Sequence, residues 1–111
     1  MGIAYNANYL TWFEVGRTEL MRCLGMSYLS VEQRGFNLPL VGAELKLRAP
    51  IRYDDLVVLE AWIGRLRSRA VTFEYAIYLE GNTLASGQTT HACVRAEDDE
   101  TVTLPPWLLA L

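Results

Sequence analysis

The hydrophobic pattern of this chain changes period once, and that change sets its fold class. Between about Asn8 and Leu24, the residues Tyr9, Phe13, Gly16, Leu20 and Cys23/Leu24 recur at the spacing of one helical face. From Val41 onward the period is that of strands. Val41, Ala43, Leu45 and Leu47 alternate with Gly42, Glu44, Lys46 and Arg48. Val57, Leu59, Ala61 and Ile63 alternate with Val58, Glu60 and Trp62, and Val71, Phe73, Tyr75, Ile77 and Leu79 with Thr72, Glu74 and Tyr78. One amphipathic helix followed by long antiparallel strands predicts an α+β fold in which the sheet wraps the helix to bury it.

The punctuation agrees with this plan. Asn6 or Asn8 can cap the helix start and Gly25 can end it. Gly16, in mid-helix, costs stability unless something approaches closely there, and the sheet is the expected neighbour. Ser27 to Pro39 reads as a connecting loop with room for a short helical turn. Pro50 breaks the first strand, and Tyr53-Asp54-Asp55 and Gly81-Asn82 supply turns. The basic segment Arg65 to Arg69 reads as a hairpin connection. Leu84 to Arg95 reads as the last strand, and its small residues Ala85, Ser86, Gly87 and Ala92 suit a central strand pressed by the helix. Glu97 to Glu100 is expected to be a solvated turn, and the segment from Leu104 a short apolar tail. Residues 1–111 form one expected domain.

Charge and cysteine content narrow the function. Ten Lys+Arg against thirteen Asp+Glu give a net charge of −3 and no basic stripe for a phosphate backbone, so nucleic acid is not the expected partner. No apolar run approaches the length of a membrane span, and the first ten residues lack the pattern of a secretory signal, so a cytoplasmic location is expected. Cys23 and Cys93 fit no metal spacing and read as buried thiols. With one histidine in the chain, no multi-histidine metal site is expected. His91 shares a strand face with Cys93, but without an orienting third group the pair reads as packing rather than as a nucleophile and base. Asp54 and Asp55 read as turn residues. Three Trp, six Tyr and three Phe in so short a chain point to a homodimer or homotetramer that finishes burying them.

The informative segment is Gly2 to Arg22. A glycine, a polar turn and a helix start follow one another, so backbone N–H groups near Asn6 and Ala7 lack intrahelical partners and can bind a carbonyl oxygen as it becomes an oxyanion. An ordinary capped helix has the same look. In Gly2, Ile3, Ala4, Tyr5, Tyr9, Trp12, Phe13, Glu14 and Arg17, however, the run resembles the signature of hotdog-fold acyl-CoA thioesterases, in the 4-hydroxybenzoyl-CoA and YbgC-type branch. The resemblance continues through the Ala49-Pro50 to Asp54-Asp55 turn, the basic hairpin and Leu104-Pro105.

That resemblance implies hydrolysis of a small aromatic or short-chain acyl-CoA, with coenzyme A as part of the substrate and no separate cofactor. It places the oxyanion donor at the backbone N–H of Asn6 and a carboxylate at Glu14, as catalytic residues. Gly2, Tyr5, Tyr9, Trp12 and Phe13 would meet the substrate, and Arg65, Arg67, Ser68 and Arg69 the phosphates of coenzyme A. The sequence departs from the family pattern in two ways. Asn6 stands where His or Tyr is usual, and the catalytic aspartate, with the strand before it, would fall upstream of Met1. The competing expectation is therefore a non-catalytic acyl-CoA-binding or scaffold protein of the same fold, and a purely structural oligomerisation domain ranks third.

Overall fold

A computed structural model describes residues 6–52 and 54–110, with side chains from Tyr9 onward. Helix α1 (Asn6–Cys23) is followed by a six-residue helix α2 (Tyr28–Gln33) and strands β1 (Phe36–Asn37), β2 (Leu40–Leu47), β3 (Val58–Leu66), β4 (Ala70–Leu79), β5 (Asn82–Ala92), β6 (Val94–Arg95) and β7 (Glu100–Thr101); helix α3 (Pro106–Leu109) closes the chain. The long strands form an antiparallel sheet in the order β2-β5-β4-β3, and β1, β6 and β7 form a second, small sheet. The expected plan of one long helix against an antiparallel sheet is the one seen.

Helix α1 ends in a Schellman motif. Gly25, at φ 82°, donates its N–H to the carbonyl of Arg22, and the N–H of Met26 reaches back to Met21. Met21 and Met26 are both buried, which supplies the apolar contact that accompanies this cap. The buried stripe of α1 is Tyr9, Phe13 and Met21, a spacing of four and eight rather than the expected drift through Leu20 to Cys23. Cys23 is exposed, not buried as the sequence suggested, because the buried face has rotated away from it by the last turn.

The close approach expected at Gly16 is present: a Cβ there would sit 3.0 Å from Leu59 Cδ2 on β3. A tighter one lies at Gly87 in the centre of β5, where a Cβ would come within 2.6 Å of both the Phe13 ring and the Glu44 carbonyl oxygen. Phe13 thus lies flat on the floor of the sheet, its ring stacked on Tyr75 with centroids 4.3 Å apart and planes 7° from parallel.

Three further expectations are corrected. The last strand does not run straight to Arg95; it leaves the large sheet after Ala92, and Val94–Arg95 pair with β1 and β7. The Ser27–Pro39 stretch is not mainly loop, since Ser27 caps α2 by accepting the N–H of Ser30. Finally, β2 does not bury its apolar face. Leu40, Ala43, Leu45 and Leu47 stand opposite His91, Thr89, Gly87 and Ala85 and so share the helix-facing side of the sheet. Leu40 and Leu47 are nevertheless about half exposed, because α1 lies over β3 and β4 and leaves this edge uncovered.

The opposite face of the sheet carries Glu44, Lys46, Glu60, Glu74 and Tyr78, as the alternation requires. The register shifts at three places: between Ile77 and Tyr78, between Leu40 and Gly42, where Leu40 rather than the expected Val41 stands opposite His91, and at Gly64. A bulge at Gly64 shifts the register between Ile63 and Arg65, so that Arg65 pairs with Thr72 and points outward while Leu66 turns in. Without the bulge, Arg65 would follow Leu59, Ala61 and Ile63 into the apolar side. Glu74 packs over Gly64, where a Cβ would meet the Glu74 carboxyl carbon at 2.5 Å, so a side chain there would push the Glu74 carboxylate aside.

Candidate functional site

Asn6 and Asn8 make the sequence at the start of α1 polar by composition, and the helix is described from Asn6. The first four N–H groups of such a helix have no intrahelical acceptor and carry the positive end of the helix dipole. No acidic residue occupies the first turn of α1 to compete for them. Gly2 and Tyr5 lie outside the described residues, as does the side chain of Asn6. Glu14 is exposed on α1. Eight residues separate it from Asn6, about 12 Å of axial rise, so within one chain the carboxylate and the first-turn donors do not meet at a single carbonyl.

The predicted aromatic contacts divide. Tyr9 and Phe13 are core residues, with Tyr9 edge-on to Trp12 at 5.4 Å between centroids. Trp12 is half-buried and lines an almost wholly apolar groove of about 180 Å³ with Val15, Val57, Leu59 and Ile77, between α1 and the β3 side of the sheet.

The basic hairpin also divides. Arg65 and Arg67 share an open polar pocket of about 320 Å³ with Gly64, Thr72, Glu74, Gln88 and Thr90 on the outer face of the sheet. Glu74 is held there by the indole N–H of Trp62, which donates to its Oε2 at 2.8 Å. Ser68 and Arg69 form the exposed tip, and it is their backbone that is engaged. Their carbonyls accept the N–H groups of Leu104 at 2.8 Å and Cys93 at 2.9 Å, which ties the hairpin to the end of the chain. Among the described residues no group of three or more His, Cys, Asp or Glu gathers as a metal would require.

A buried polar chain beneath α1 escaped the sequence analysis. Arg17 donates from Nε to the Tyr28 hydroxyl and from Nη1 to the Tyr75 hydroxyl at 3.0 Å. Tyr75 and Thr89 are 2.7 Å apart through their hydroxyls, Thr89 and His91 Nε2 3.0 Å, and His91 Nδ1 and the Leu38 carbonyl 2.9 Å. His91 bonds these groups and not Cys93. Burial, reinforced by the charge of Arg17, pushes its pKa down to about 4, against the bond to Leu38, which works to raise it. Burial would also lower the pKa of Arg17, but its bonds to the two phenols more than offset this and hold the guanidinium charged. Burial raises the Tyr28 phenol and the Cys93 thiol.

Comparison with known proteins gives consistent matches. The model of the thioesterase-like superfamily matches residues 1–111. YneP of Bacillus subtilis (strain 168) is 37% identical over 98 residues, covering 87% of this chain and 71% of YneP. The acyl-CoA thioesterase YbgC of Haemophilus influenzae is 27% identical over 96 residues, covering 84% of this chain and 69% of YbgC. Among solved structures, the DHNA-CoA thioesterase of Staphylococcus aureus superposes with a TM-score of 0.88 at 27% identity, covering 99% of this chain and 74% of that one. No described helix is long and apolar enough to cross a membrane, which leaves membrane-crossing strands unaddressed.

Proposed function

The chain belongs to the thioesterase-like superfamily and has its hotdog fold, and from that premise we propose that it hydrolyses the thioester of a small aromatic or short-chain acyl-CoA. The observation that carries the proposal is the N-terminal turn of α1 from Asn6, whose N–H groups lack intrahelical acceptors and can receive the thioester carbonyl as it becomes an oxyanion. Asn6 cannot act as a general base at neutral pH, so the water needs a carboxylate. Glu14 supplies it in this proposal. Since Glu14 stands about 12 Å along the helix from the donors of its own chain, the reading puts the site between two copies, with Glu14 of one serving the helix start of the other.

The uncovered edge of β2 supports a homodimer, with a homotetramer as its possible doubling. A free strand edge with Leu40, Ala43 and Leu47 bared beside it is the kind of surface that a second copy covers. Arg65 and Arg67 suit the phosphates of coenzyme A, with Ser68 and Arg69 at the rim, and the groove at Trp12 suits a short or ring-shaped acyl group. A cytoplasmic location fits a substrate built on coenzyme A.

The test is release of free CoA thiol from a panel of aromatic, short and long acyl-CoAs, with Glu14→Gln alongside. Turnover that falls about 100-fold in the Gln variant is expected, the size of losing a general base; full activity in that variant would remove Glu14 from the mechanism. Arg67→Ala is expected to weaken CoA binding about 5-fold at low salt, with the gap closing as salt screens the pocket. The absence of an acidic residue from the first turn of α1 favours a second reading, a non-catalytic acyl-CoA-binding protein. That reading predicts the same arginine effect with no thiol release.

A further inference from the structure

The bonds beneath α1 can be oriented atom by atom. Only an N–H can bond the Leu38 carbonyl, so His91 carries its proton on Nδ1 and presents a bare Nε2. Thr89 must then donate its single hydroxyl proton to Nε2. Its oxygen is left to accept from Tyr75, and Tyr75, its own proton committed, accepts from Arg17. The chain runs one way, from Arg17 on the helix through β4 and β5 to the backbone between β1 and β2, and no buried side-chain polar atom among the described residues lacks a partner.

Tyr75 is the common member of two contacts made by the same face of α1. Phe13 stacks on its ring, and Arg17, one turn later, bonds its hydroxyl. Stacking alone fixes a distance but lets the helix slide or roll, since apolar contact has little direction. A guanidinium fork held on the Tyr75 and Tyr28 hydroxyls fixes rise and rotation together.

We infer that Tyr75, Thr89 and His91 are positioning residues for the reaction: through Arg17 they set the height and roll of α1 on the sheet, and with them the place of its first-turn donors. This inference rests on the reading of that helix start as the thioester site. The titratable and charged groups facing the chain are Arg17, Tyr28 and Tyr75, with Glu14 within electrostatic range of Tyr28. Nothing in the chain need touch substrate.

The experiment combines amide hydrogen exchange along α1 with steady-state kinetics on Tyr75→Phe, Arg17→Met, Thr89→Val and Thr89→Ser. Tyr75→Phe and Arg17→Met are expected to speed exchange in α1 about 10-fold while the β4 and β5 amides keep their rates. They should also lower kcat about 10-fold with KM within 2-fold, since misplaced donors weaken the transition state more than ground-state binding. Thr89→Val, which cuts the chain one bond further from the helix, should show a smaller loss of the same kind, and Thr89→Ser should match the parent. Unchanged α1 exchange in a folded Tyr75→Phe or Arg17→Met variant would overturn the inference whatever the activity, and so would faster exchange with kcat intact. A parent protein that releases no thiol would sink the thioesterase reading instead; faster α1 exchange would then leave the chain a structural tie alone, which also overturns the positioning role.

Discussion

Gly87→Ala is expected to lose about 3 kcal/mol of stability, seen as a lower urea midpoint with an unchanged slope. In an ordinary strand this substitution would help slightly, because alanine removes unfolded-state entropy worth about 0.4–1 kcal/mol. The local geometry reverses the sign. The new methyl would lie 2.6 Å from the Phe13 ring on one side and 2.6 Å from the Glu44 carbonyl oxygen on the other, and neither neighbour can retreat. Phe13 is pinned by its stack on Tyr75, and the Glu44 oxygen belongs to the β2 backbone paired with β5. Gly16→Ala is the matched control. Its methyl meets the end of the Leu59 side chain at 3.0 Å, which can turn aside, and the Ala61 Cβ at 3.3 Å, which needs a shift of only a few tenths of an ångström; helix propensity returns about 1 kcal/mol, so a change within about 1 kcal/mol is expected. Equal midpoints for Gly87→Ala and the parent would show that α1 does not press on β5 as described.

These two glycines mark how far the sequence could be read. A glycine in mid-helix and a run of small residues in one strand signal close approach locally, and both were found where a neighbour presses. Alternation likewise sorted the outer face, because the period of a strand is enforced at every residue. It failed where one residue changes the count. The bulge at Gly64 turns Arg65 outward, and no period-2 pattern announces a single insertion.

The buried chain was illegible for a different reason. Its members sit up to 58 positions apart in a single bond, as between Arg17 and Tyr75, and nothing near either residue predicts the other. Arg17 enters the sequence reading only as a matched position of a family signature; the buried stripe that runs Tyr9, Phe13, Met21 passes directly through it. The exposure of β2 was not legible because alternation reports which face is apolar and not what lies over it, and among the described residues α1 lies over β3 and β4 instead. The candidate site shares this limit: Arg65 and Arg67 are brought together, while Asn6 and Glu14 meet only if a second chain supplies one of them.

Stability should fall by about 2–3 kcal/mol as pH drops from about 6.5 to about 4, and above about pH 5 the loss should belong to one residue. His91 is 2% exposed and its pKa is pushed down to about 4 in the folded chain, whereas the unfolded histidine titrates near 6.5. Above pH 6.5 both states hold the ring neutral and the term vanishes. Below it the unfolded chain gains a proton that the folded one refuses, so stability declines with falling pH until the folded ring titrates as well. The full shift corresponds to about 3.4 kcal/mol, reduced somewhat by residual screening. Carboxylates overlap only the acid end of this window: Glu19 and Asp98, paired with Arg22 and Arg95, are lowered, so their contribution is lost from the ordinary carboxylate pKa downward and leaves the range above about pH 5 to His91. His91→Gln isolates the effect, since an amide can still donate to Leu38 and accept from Thr89 but cannot titrate. The variant is expected to be less stable than the parent at about pH 7 yet flat between about pH 5 and about pH 6.5. A parent curve equally flat over that range would mean that His91 accepts its proton in place, which the direction of its bonds to Leu38 and Thr89 forbids unless the Thr89 hydroxyl reverses and the chain to Arg17 breaks with it.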